Sequence, residues 1–150
     1  MGLLAAAGGV QAPPVLLVGS FGNGAGLLVQ QRVAGRDLTE LGDGRLDDAM
    51  LADVWRQVAR LRAARIAHGD LGLASVLLDE QGKAWLVDFD HAEAAASDPL
   101  LDRDLGTLLA ALGRVADPAR VRVTAEQTLG EELPQRSRRS VDPRNAGPPT

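Results

Sequence analysis

Between Leu46 and Ala67 the apolar positions Leu51, Val54, Trp55, Val58, Leu61 and Ile66 return every three or four residues, the spacing of one helical face. Asp47 and Asp48 stand at the start of this stretch and arginines gather toward its end, as the helix dipole favours. One long amphipathic helix is expected over 46–67, delivering the chain to His68. Upstream, the aliphatic runs Val15–Val18 and Leu27–Val33 flank "GSFGNGAG", whose Asn23-Gly24 pair signals a hairpin turn with positive φ at both positions. A glycine-rich phosphate cradle is the rival reading of that loop. Such a cradle should lead into a lysine-bearing strand or a helix start, and "LLVQQRVAG" supplies neither. Downstream, Val76–Leu78 and Ala84–Val87 read as short strands joined by the turn "DEQGK". Asp98-Pro99 offers a start for the helix "LLDRDLGTLLAALGRV", and a third helix is expected over 117–130.

This order predicts an α+β architecture, with a small antiparallel hairpin over 15–36 followed by a mostly helical lobe. Residues 1–14 read as an N-terminal segment and 15–133 as one domain. From Pro134 on, "PQRSRRSVDPRNAGPPT" has too little apolar surface to offset the cost of ordering and reads as a flexible tail. A remnant sheet with an uncovered edge invites self-association, so a homodimer is expected.

Apolar residues make up 45% of the 150 and aromatics only 3%, so the core must be aliphatic. Trp55 and Trp85 read as core rather than as substrate platforms. The net charge of −4 argues against a general nucleic-acid binder. The absence of cysteine removes disulfides, thiol nucleophiles and thiolate metal sites. No basic leader, no Ser or Thr where myristoylation wants it (Ala6 stands there) and no apolar run of roughly 20 residues point to a cytoplasmic protein. The Ala, Arg and Gly bias suits a GC-rich bacterial genome.

The candidate chemistry lies in two acidic turns. "HGDLGLASVLLD" (68–79) follows the long helix, and "DFD" (88–90) follows the strand "AWLV". The order of an H-x-D-L turn, a polar residue five positions after the Asp, a strand pair and a D-F turn is that of kinase catalytic and metal-binding loops. Phosphoryl transfer needs little covalent chemistry from the protein, only positioning of nucleotide, magnesium and acceptor. From residue 15 to about 114 the chain thus resembles the protein-kinase-like superfamily. "HGD" and "DFD" look more like aminoglycoside phosphotransferases and related small-molecule kinases than like protein kinases. The run "AWLVDFDHAEAAASDPLLDRDL" is also similar to kinase-like segments of bacterial flippase-like and lysylphosphatidylglycerol-synthase-like membrane proteins.

The resemblance implies ATP and magnesium as cofactors and a small-molecule acceptor. Asp70 would be the catalytic carboxylate that accepts or orients the acceptor hydroxyl's proton. Asp88 would hold magnesium, with Ser75 and Asp90 as further metal ligands. "VQQRVAGRDL" would be the hinge, with Gln30, Gln31 and Val33 lining the adenine pocket. His68 and Asp104 would support the catalytic loop. Beside these roles stand plainer ones: Asp is common in turns and at strand ends, and His91 reads as a surface residue.

Departures from the pattern set the functional expectation. Lys83 is the single lysine and lies in the strand-connecting turn, whereas a kinase anchors its phosphates with a lysine on an N-lobe strand. Arginine's planar fork is no simple substitute. Ser75 has a shorter reach than the amide usual at its position. No "APE" occurs between Asp88 and Asp104, which disfavours protein substrates. The first expectation is therefore a degenerate kinase-like domain, truncated in its N-lobe and acting as a binding or regulatory module. The alternatives are a small-molecule phosphotransferase completed by an N-lobe from elsewhere, and a cytoplasmic appendage of a membrane transport or lipid-modifying protein.

Overall fold

A computed structural model of the chain describes residues 2–20, 22–41, 44–130 and 133. The expected tail over 134–150 lies outside the described residues. The chain opens on a short helix, α1 (Gly2–Ala7), with Ala5 fully buried. Strands β1 (Val15–Ser20) and β2 (Gly26–Gln30) pair antiparallel as a two-stranded ribbon. Its connection is longer than a two-residue turn. Gly24 takes positive φ, Asn23 does not, and the Asn23 side chain instead accepts the Ala25 N–H.

Beyond the ribbon, β3 (Gly35–Asp37) pairs with β4 (Val76–Asp79), and β4 with β5 (Ala84–Leu86), giving a second antiparallel sheet in the order β3-β4-β5. The third strand is unexpected, since "GRD" carries no alternating apolar pattern. Gly35 permits it, because a Cβ there would lie 2.3 Å from the Leu78 carbonyl oxygen. At the other edge of this sheet the Leu86 N–H donates to the Gln11 carbonyl, and the Asp53 side chain accepts the Ala84 N–H.

Helix α2 (Asp48–Ala63) begins at Asp47, whose side chain accepts the Met50 N–H as an N-cap should. It buries Leu51, Val54, Trp55, Val58 and Leu61, the stripe read from the sequence. Its end comes four residues before the expected one. The Arg65 N–H bonds the Arg62 carbonyl, the Ile66 N–H bonds the Leu61 carbonyl, and Arg65 sits at φ +58. That pattern is a Schellman closure with arginine where glycine is usual. Arg62 and Arg65 pair with Asp102 and Asp98 of α3 (Asp98–Leu112), tying the turn to the next helix.

Helix α4 (Pro118–Leu129) packs on α2, where the buried Trp55 indole N–H donates to Thr124 Oγ1 at 3.2 Å. Trp55 is core, as expected, but Trp85 is only partly buried and its indole N–H donates to Asp79. The core joins the inner faces of α2, α3 and α4 to the buried side of β4 and β5. This base presents the two acidic turns.

Candidate functional site

The first acidic turn is built on His68, which is fully buried. Its Nε2 lies 2.8 Å from the Val87 carbonyl oxygen, and its Nδ1 lies 3.3 Å from the Asp70 nitrogen. A neutral ring with its proton on Nε2 satisfies both contacts, donating to Val87 and accepting from Asp70. From α3 the buried Asp104 accepts the His68 N–H at 2.5 Å and the Gly69 N–H at 3.1 Å. Burial pushes the Asp104 carboxyl up from the usual range, opposed by those two N–H donors and by the nearby Arg103 guanidinium.

The second acidic turn is fastened to the first at several points. The Val87 N–H donates to the Ser75 carbonyl at 2.9 Å, and the Phe89 ring packs at a tilt on the His68 ring, centroids 4.9 Å apart. Ala67 and Glu93 form an isolated antiparallel bridge. Gly69, at φ +88, lies so close to the His91 carbonyl that a Cβ would stand 2.3 Å from its oxygen. Asp88 itself has φ +63, a left-handed conformation that costs a non-glycine residue about 1 kcal/mol or more and is tolerated best by Asp and Asn. Strain of this kind concentrates at working sites.

Asp70, Asp88 and Asp90 are all exposed, with Asp88 and Asp90 on either side of the anchored Phe89. These are hard oxygen donors of the kind magnesium takes, and magnesium bound by phosphates and water needs few of them. Among the described residues no group of three or more His, Cys, Asp or Glu side chains forms a self-sufficient metal cage. Ser75 is placed differently. It is buried, its hydroxyl lies within hydrogen-bond reach of the Asp70 and Gly72 carbonyls, and it accepts the Gly72 N–H at 2.8 Å. Its one proton and one of its two lone pairs are thus spent inside the loop.

The hinge candidates lie apart from this cluster. Gln30 ends β2 opposite Val15, and the Gln31 N–H donates to the Pro14 carbonyl. Gln31 and Val33 line an open cavity of about 300 Å³ together with Trp85 and Asp79, and none of Asp70, Asp88 and Asp90 lines it. A second cavity, about 290 Å³, does contain Asp70. Its wall includes His91, Glu93, Arg103 and Thr107, which the sequence reading did not assign to a site. A signal for two of them was present. Arg103 and Thr107 are four apart on α3, a spacing that puts them on one helical face close to Asp104.

Residues 24–126 match the Lipopolysaccharide kinase (Kdo/WaaP) family. A 3-deoxy-D-manno-octulosonic acid kinase of Photobacterium profundum is 34% identical over 112 residues, 69% of this chain and 46% of that protein. One of Vibrio cholerae serotype O1 is 29% identical over 75 residues, 49% of this chain and 32% of that protein. The chain therefore spans less than half the length of these curated relatives. Among solved structures the bifunctional kinase-methyltransferase WbdD superimposes with a TM-score of 0.55 at 18% identity, over 89% of this chain and 36% of that one. These likenesses carry the kinase-like α+β fold. The narrower likenesses to aminoglycoside phosphotransferases and to flippase-like or lysylphosphatidylglycerol-synthase-like proteins are not part of what they support. No helix among the described residues is long and apolar enough to cross a membrane.

Proposed function

The chain belongs to the lipopolysaccharide kinase (Kdo/WaaP) family, and from that premise we propose that it carries the acceptor and metal side of an ATP-dependent phosphotransferase acting on a hydroxyl of a sugar. The observation that supports this best is the His68–Val87 contact, which holds the Asp70 and Asp88 turns together while leaving both carboxylates exposed. A fold kept only for binding has no need of two solvated carboxylates on turns fastened this tightly.

In this reading Asp70 accepts or orients the proton of the acceptor hydroxyl, and His68 and Asp104 fix the backbone from which it works. Asp88 and Asp90 hold magnesium, which when bound neutralises the charge of the nucleotide phosphates. Ser75 serves as a staple of the catalytic loop rather than as a ligand. Gln30, Gln31 and Val33 remain the hinge assignment. The only lysine, Lys83, is on the β4–β5 turn, so the cation that anchors the phosphates comes in this proposal from polypeptide outside these residues. The acid named in the relatives sets the acceptor class: a sugar acid.

Transfer of labelled γ-phosphate from ATP to 3-deoxy-D-manno-octulosonic acid, by the chain together with a kinase N-lobe segment that carries the phosphate-anchoring lysine, with Asp70→Ala and Asp88→Asn as controls, tests the proposal. The expected result is magnesium-dependent transfer lost in both variants. Absence of transfer together with absence of magnesium-dependent ATP binding overturns it in favour of a second reading, a non-catalytic kinase-like module. The committed hydroxyl of Ser75 and the remote Lys83 favour that alternative.

A further inference from the structure

We infer that Arg103 is the acceptor-specificity residue of the Asp70 cavity, binding the acid group of an anionic sugar so that its hydroxyl meets Asp70. The inference rests on the phosphotransferase reading for the role of Asp70. The cavity, at about 290 Å³, is near the lower end of the range of roughly 300–1,000 Å³ common for small-molecule sites. Its wall holds three carboxylates, Asp70, Glu93 and Asp104. Beside them stands one guanidinium, that of Arg103.

A guanidinium among carboxylates normally pairs. Elsewhere on the molecule Arg56 pairs with Asp53, Arg62 with Asp102 and Arg65 with Asp98. Arg103 differs: among the described residues its side chain makes no hydrogen bond or ion pair. Asp104 is meanwhile occupied by the His68 and Gly69 N–H groups. Arg103 thus shares the cavity wall with the candidate catalytic carboxylate, exposed and bound by no hydrogen bond or ion pair, with only a longer-range attraction to Asp104.

A planar guanidinium offers parallel donors that match a carboxylate, the group that distinguishes a sugar acid from a neutral sugar. His91, on the same wall, adds a ring that can hydrogen-bond the sugar's hydroxyls. A cationic amino sugar would meet Arg103 as a like charge and would have to rely on Glu93 instead. Thr107, one turn along α3, completes the polar lining.

The test is calorimetric titration of the full chain with 3-deoxy-D-manno-octulosonic acid, its neutral methyl ester and a cationic aminoglycoside. The wild type should bind the acid about tenfold or more tightly than the ester, the range of a charge-assisted bond. In Arg103→Gln that preference should vanish, while Arg103→Lys should keep part of it. Because Arg103 is exposed, the melting temperature of Arg103→Gln should match the wild type and so exclude misfolding as the cause. Equal binding of acid and ester, undiminished acid binding by Arg103→Gln, tighter binding of the aminoglycoside, or no binding of the acid each overturns the inference. Binding of the acid through Arg103 without any phosphate transfer supports it while removing the transfer reading. Transfer to acid and ester alike, unchanged in Arg103→Gln, does the opposite.

Discussion

The His68 ring donates to the carbonyl of Val87 across 2.8 Å, and its other nitrogen accepts the N–H of Asp70. One buried imidazole therefore sets the separation between the two acidic turns, because Asp70 follows it by two residues and Asp88 follows its partner by one.

Replacing that ring should loosen both turns together. His68→Ala removes a fully buried side chain and leaves the Val87 carbonyl without its donor, a loss of about 3 kcal/mol. Urea denaturation measures it. Under the phosphotransferase reading, magnesium-dependent nucleotide binding should weaken in the same variant. A loss within experimental error of zero would show that the contact does not hold the turns.

Gly69 and Gly72 make a controlled pair. A Cβ at Gly69 meets the His91 carbonyl and is set on a backbone at φ +88, whereas one at Gly72 meets nothing within 4 Å at φ −137. Gly69→Ala should cost more than about 2 kcal/mol and Gly72→Ala less than about 0.5 kcal/mol, read by thermal or chemical unfolding. Equal effects would mean that close approach is not what requires glycine at position 69.

Ser75→Ala separates a staple from a metal ligand. It strands the Gly72 N–H and should cost about 1–3 kcal/mol in stability. Magnesium-dependent ATP affinity, where it is measurable, should stay unchanged at temperatures where the variant is folded. A selective loss of magnesium dependence at full stability would return Ser75 to the metal site.

Asp79 gives the pH dependence. Burial alone would raise its carboxyl, but the Trp85 indole N–H, the Lys83 and Gln81 backbone N–H groups and the Lys83 ammonium together hold it below the ordinary 3.8. A depressed folded value means that its stabilisation is present above the unfolded value and lost as pH falls through the folded one. The melting-temperature gap between wild type and Asp79→Asn should thus be largest above about pH 5 and close toward pH 2–3. A gap independent of pH would show that the charge plays no part.

The sequence made the long elements legible because their signals are local. Asp47 as cap, the Leu51-to-Leu61 stripe and the Asp98-Pro99 start each act within one or two turns of chain. Asp104 was singled out through a resemblance, and its carboxylate accepts the His68 and Gly69 N–H groups. What escaped depended on distant partners. Gly35–Asp37 becomes a strand only because β4 lies beside it, and α2 stops early because Arg65 takes a conformation that sequence assigns to glycine. Trp85 stays partly exposed because its indole finds Asp79 at the sheet's rim. Arg103 and His91 gave no sign of sharing a wall, since twelve residues and a turn of backbone separate them.

The Asp104 carboxylate has a further consequence for how this region opens. The amides of His68 and Gly69 are capped from a different helix, so neither can meet solvent by local fraying. Their deuterium uptake should track the release of α3 from the domain, making two loop amides slow reporters of the whole lobe's cooperativity. The Asp70 amide, tied only to its neighbour's ring, should exchange sooner.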